Sequence, residues 1–151
     1  MDNLDPHADF TLMLIKVARL YRQGVDAALS RLELSDALAL PVVLLGRRPE
    51  GMRQIQLAEE LGVEGPSLVR LLDRLVEVGL VERQPDPTDR RANIVHLTKD
   101  GRAHSRSASR ALDAYRTSLL GEVPAAQIDA ARALLHRMER QLLAERDGAR
   151  A

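Results

Sequence analysis

The sequence predicts a mainly α fold that carries one small β-hairpin. Three observations lead there. Long stretches at both ends repeat apolar residues in steps of three and four, as amphipathic helices do. Two shorter apolar segments in the middle are joined by a few residues that include Gly62, the pattern of a helix-turn-helix. Directly after them the helical period stops, and residues 80–98 read as two short strands around a proline-containing connection.

In chain order, residues 9–32 place Leu14, Ala18, Tyr21, Val25, Ala28 and Leu32 on one helical stripe. Ser35 is the expected N-cap of a second helix spanning 36–46. Pro41 falls inside it, and either kinks that helix or marks a start nearer to itself. Residues 47–51, RRPEG, read as a loop. Ile55, Leu57, Ala58 and Leu61 then form a short apolar face closed by Gly62. Pro66 opens the next helix, where its missing N–H costs nothing. Leu68, Leu71, Leu72, Leu75 and Val76 give that helix a wide face to bury, and Gly79 ends it. Leu80–Arg83 and Asn93–Leu97 are the expected strands, with Pro85 and Pro87 keeping the connection out of helix and out of a central ladder. Thr98 caps a helix over 99–120, with Asp100 in its first turn favoured by the helix dipole. Gly121 and Pro124 break it, and a last helix carries Ile128, Ala131, Leu135, Met138 and Leu142.

This organisation assigns residues 35–98 to a central lobe, 1–34 and 99–146 to long flanking helices, and 147–151 to a frayed tail. The flanking helices carry narrow apolar seams, which suit another helix, so they are expected to meet across a homodimer. The alternative is that they fold back on their own chain.

Composition excludes several classes. The chain of 151 residues is the size of one domain and is 45% hydrophobic, as ordinary globular proteins are. It has no cysteine, which rules out disulfides, thiol redox sensing and Cys-ligated zinc. His7, His96, His104 and His136 form no i, i+4 pair, so no metal site is expected. Gly-rich phosphate loops and hydrolase motifs are missing, so neither a cofactor nor an enzyme is expected. No apolar run approaches the ~18 residues that span a bilayer, and the first ten residues lack a basic, then apolar, signal pattern. A cytoplasmic protein without a membrane partner is expected. Net charge is zero, from 22 basic and 22 acidic residues. Residues 1–46 hold 4 basic against 6 acidic, 47–91 hold 8 against 9, and 92–151 hold 10 against 7. Binding to DNA would therefore require arginines sorted onto one face rather than a surplus of them.

Such sorting is visible. With Leu68, Leu71, Leu72 and Leu75 turned inward, Pro66, Ser67, Arg70 and Arg74 are left outside on the second helix of the helix-turn-helix. That helix can enter a major groove, where Ser67 and free N–H groups reach phosphate and Arg70 reaches guanine O6 and N7. The alternative for Arg70 is a solvated arginine pairing with Asp73 or Asp89. Arg53, Gln54 and Gln56 open the supporting helix and can bond phosphates, or are plain polar surface. The hairpin tip carries Asp89, Arg90 and Arg91, and an arginine there can enter a narrow minor groove.

The run QIQLAEELGVEGPSLVRLLDRLVEVGLVERQPDPTDRRANIVHLTKDG, 54–101, resembles the winged helix-turn-helix core of the MarR family of bacterial transcription regulators. The wing pattern is Asp89, Arg90, Arg91 and Ala92, followed by an apolar strand and Leu97-Thr98-Lys99-Asp100-Gly101. GVEGPSLVRLLDRL, with ARLYR near the N-terminus, looks most like the SlyA-like branch. The resemblance implies a winged helix-turn-helix with long N- and C-terminal dimerisation helices. It implies a sequence-specific regulator of double-stranded DNA, expected to be a repressor that binds pseudo-palindromic operators as a homodimer. A helical dimeric interaction protein, or an anti-silencing activator with no small-molecule effector, is the alternative. Carried over residue by residue, Arg70 contacts DNA, Arg91 inserts into the minor groove and Asp89 steadies it, while Arg90 and Arg83 meet phosphate. A small aromatic or carboxylate effector is implied at Arg19, Tyr21 and Arg22, in aliphatic surroundings because the second helix reads Ala39–Val43 where the family has an aromatic. Ion pairing across the dimer is the alternative role for Arg19 and Arg22.

Overall fold

Local capping chemistry sets most of the boundaries in the computed structural model, which describes residues 5–32 and 36–149, with the side chain of Asp36 left aside. Helix α1 spans Pro6–Leu29. It starts earlier than the apolar stripe suggests because Asp5 caps it, accepting from the His7 N–H at 3.3 Å, and Pro6 occupies its first turn. A short 3-10 turn, Ser30–Leu32, follows. Helix α2, Asp36–Leu45, runs continuously through a fully buried Pro41, so the proline does not mark its start. The expected cap, Ser35, lies outside the described residues.

Strand β1, Met52–Arg53, leads into helix α3, Gln54–Leu61, and then helix α4, Gly65–Glu77. Gly62 and Gly79 end the two helices with φ of 64° and 77°, the left-handed region that favours glycine. Strands β2, Val81–Pro85, and β3, Asn93–Leu97, pair antiparallel, with Val81 opposite Leu97 and Pro85 opposite Asn93. The hairpin is joined by a third strand that its sequence does not announce. β1 pairs with the other side of β3, Met52 opposite Val95 and Arg53 opposite Ile94, giving the order β1-β3-β2.

The core lies where these elements converge: Val25 and Leu29 of α1, Val42 of α2, Leu57 of α3, Leu72 of α4 and Val95 of β3 are all buried. On α4 the inward line is Leu68, Leu72 and Leu75; Leu71 is half-buried, and Val76, at the flank of that line, is exposed rather than part of the core.

Helix α5, Lys99–Leu120, begins on a tight junction. Thr98 donates its hydroxyl to the Gly79 carbonyl at 2.7 Å and accepts from the Gly101 N–H at 3.0 Å, capping the helix. Gly101 is required for close approach, because a Cβ there would run into the Leu80 carbonyl. Helix α6, Ala125–Gly148, completes the chain, and residues 150–151 of the expected frayed tail lie outside the described residues.

The chain divides into two compact units, residues 1–115 and 116–151. In the first, α1 leaves Phe10, Met13, Val17 and Leu20 exposed. In the second, α6 has no buried residue, and Leu135, Leu142 and Leu143 are exposed. Among the described residues no helix is long and apolar enough to cross a membrane.

Candidate nucleic-acid interface

The inward line of leucines fixes how α4 is rotated, and so decides what it presents. Its first turn is tied by the Glu64 carbonyl, which accepts from the Ser67 and Leu68 N–H groups at 3.0 Å each. Pro66, Arg70 and Arg74 are exposed on the outward side, and Ser67 is half-buried beside them. Neither Arg70 nor Arg74 has a hydrogen-bond or ion-pair partner among the described residues.

The acids that could have engaged Arg70 are occupied elsewhere. Asp73 accepts from Arg83 Nη1 at 2.7 Å, and Arg83 Nη2 reaches the Val69 carbonyl at 3.3 Å. Arg83 thus braces β2 against α4, and its Nε is buried without a partner among the described residues. Asp89 accepts from the Arg91 N–H at 2.9 Å, so its carboxylate holds the backbone of the wing tip. The Ala92 N–H returns to the Asp89 carbonyl at 2.9 Å, closing the turn. Arg90 and Arg91 are exposed and have no side-chain partner among the described residues.

At the start of α3, Gln56, which is exposed, accepts at Oε1 from the Arg53 N–H at 3.3 Å and so helps cap the helix. Gln54 is half-buried. The Arg53 side chain turns into the wing: Nε donates to Asp86 Oδ2 at 2.6 Å, and Nη2 to the Thr88 hydroxyl at 2.9 Å. Asp86, only 5% exposed, also accepts from the Thr88 N–H at 2.8 Å and the Thr88 hydroxyl at 2.7 Å. Sequence reasoning passed over Asp86 and Thr88. The available signal was the Asp-Pro-Thr run itself, since an aspartate often bonds the backbone two residues on.

The Thr88 hydroxyl and N–H, followed by Arg53, hold the Asp86 carboxyl below the usual carboxylate range, against the opposing effect of burial. A lowered folded-state value stabilises the fold above the unfolded carboxylate's value, and that contribution is lost as pH falls through the folded one. The stability gap between the wild type and Asp86→Asn should be constant above about pH 5 and shrink below about pH 4. Urea unfolding across that range checks it; a gap that persists at pH 2 would contradict an ionised Asp86 as its source.

The proposed effector residues are arranged differently from one another. Tyr21 stacks on Tyr115, with ring centroids 5.8 Å apart and planes at 27°. Gly24 makes room for that pair, because a Cβ there would collide with the Tyr115 ring. Arg19 and Arg22 are exposed on α1, without a partner among the described residues. Among the described residues no group of three or more His, Asp or Glu side chains is placed to hold a metal ion.

Residues 42–92, from within α2 to the wing tip, match the model of the MarR family. Over that segment the chain is similar to the MarR family. Solved structures extend the match to about nine-tenths of the chain. CouR from Rhodococcus jostii RHA1, bound to p-coumaroyl-CoA, is 27% identical with a TM-score of 0.80, over 90% of this chain and 95% of that one. A mutant MarR from E. coli complexed with operator DNA is 25% identical with a TM-score of 0.76, over 91% and 99%. SlyA, at 22% identity and a TM-score of 0.77 over 89% and 94%, shares the fold. The chain has the winged helix-turn-helix architecture of these MarR structures.

Proposed function

We propose that this protein is a MarR-family regulator, a cytoplasmic repressor that binds pseudo-palindromic operators in double-stranded DNA as a homodimer. One observation carries the proposal: Arg70, Arg74, Arg90 and Arg91 stand exposed on α4 and the wing, without a partner among the described residues, in a chain of zero net charge. Arginines held free of every nearby acid are suited to phosphates and base edges. The operator-bound relative supports the same use of this fold.

In this account residues 35–98 form the DNA-binding lobe and the helices in 1–34 and 99–146 form the dimer. The uncovered apolar residues of α1 and α6 support the second part, since such faces bury against another helix. Arg70 reads a guanine. Pro66, Ser67, Arg74, Gln54, Gln56 and Arg90 position the backbone. Arg91 enters the minor groove from a turn that Asp89 holds. Arg83 reaches phosphate only by leaving Asp73, so its brace comes first. A small anionic effector is proposed at Arg19, Tyr21 and Arg22, in line with a relative bound to an acyl-CoA.

The test is binding to duplex DNA as salt rises. A steep, log-linear fall in affinity is expected. No binding to any duplex, or a flat response, would overturn the proposal. Arg91→Ala should weaken binding to all sequences and lower the salt slope by about one unit; unchanged slope and affinity would remove the wing from the interface.

A further inference from the structure

We propose that Arg53, Asp86 and Thr88 form a latch that sets the attitude of the wing tip against α3 and α4. Arg53 and Asp86 are then positioning residues for Arg91. This rests on the wing contacting DNA, as proposed above.

The geometry is a closed ring. Asp86 Oδ1 takes the Thr88 N–H and hydroxyl, Oδ2 takes Arg53 Nε, and Arg53 Nη2 donates to that same Thr88 hydroxyl. Each contact lies between 2.6 and 2.9 Å. The ring sits at the neck of the tip, where the Asp86 N–H also donates to the Ala92 carbonyl at 3.0 Å. Beyond the neck, residues 87–91 are all exposed, so the tip has no core of its own to fix its direction.

Arg53 joins two bodies. Its backbone pairs with β3 and donates to Gln56 of α3, while its guanidinium holds the tip across 33 residues of sequence. A guanidinium suits this task because its planar fork fixes angle as well as distance. On the other side of the wing, Arg83 ties β2 to Asp73 of α4. The wing is thereby clasped by charge-assisted bonds, the stronger class, to Arg53 at the start of α3 and to Asp73 on α4. Pivoting the tip would expose Asp86 or leave it buried and unpaired, which is costly. The distance between Arg91 and the reading face of α4 is therefore preset before DNA arrives.

A double-mutant cycle tests this, using a duplex selected from a random pool by the wild-type protein. Asp86→Asn should weaken binding roughly ten-fold when Arg91 is present and less than about two-fold in the Arg91→Ala background, as members of one network do. Equal losses in both backgrounds would overturn the latch and leave the DNA-binding proposal intact. Failure of Arg91→Ala to weaken binding at all would instead overturn the wing's role in DNA binding. Thr88 is exposed, so its variants keep the test open should Asp86→Asn fail to fold. Thr88→Ser keeps the hydroxyl and should bind as the wild type does, while Thr88→Val should bind as weakly as Asp86→Asn. Wild-type binding by Thr88→Val would sink the proposal.

Discussion

Arg70→Ala should erase the base preference at one position in each half-site and cost about 1–3 kcal/mol for each bidentate pair lost. The effect is expected to be large because Arg70 brings little debt to the interface. It is exposed, and its nearest rival partner on the same helix, Asp73, is already taken by Arg83 at 2.7 Å. No ion pair has to break before the guanidinium turns to a base. Affinities for duplexes varied one position at a time measure this directly. A uniform loss across all of them would make Arg70 a phosphate contact, and would move base reading to other residues of α4.

Leu72→Ala should destabilise the fold by about 3–5 kcal/mol, the range for leucines whose cavity cannot collapse. Leu72 is fully buried and sits between Leu68 and Leu75 on the line that sets the rotation of α4. Its loss therefore affects more than stability, because the same line aims Arg70 and Arg74 outward. Val76→Ala is the matched control. That side chain is 42% exposed, and its truncation should change stability by less than about 0.5 kcal/mol. Urea unfolding compares the two, and similar losses from both would contradict the inward line drawn for α4.

Most of the fold was legible because its punctuation is local. Gly62, Gly79 and the cap that Thr98 places on the Gly101 N–H each act within one turn, so their effect can be read beside them. Strand β1 was not legible. Two residues carry no period, and Met52 and Arg53 become a strand only because β3 lies alongside. The site divides the same way. Arg70, Arg74, Arg90 and Arg91 are exposed, as helical rotation and a hairpin tip require. Arg53 and Arg83 look alike as candidate phosphate ligands in sequence, yet the fold turns them to Asp86 and Asp73. Residue type announces charge, but partners 33 positions apart are chosen by topology.

The strand order has a further consequence, for self-association. With β3 in the middle, the sheet's open hydrogen-bonding rims belong to β1, two residues long, and to β2. β2 carries Glu82, Arg83 and Gln84 and ends in Pro85, which has no N–H to offer. Short, charged and proline-blocked rims resist templating a strand from another molecule. The wing can stand in solvent without its strands seeding aggregates.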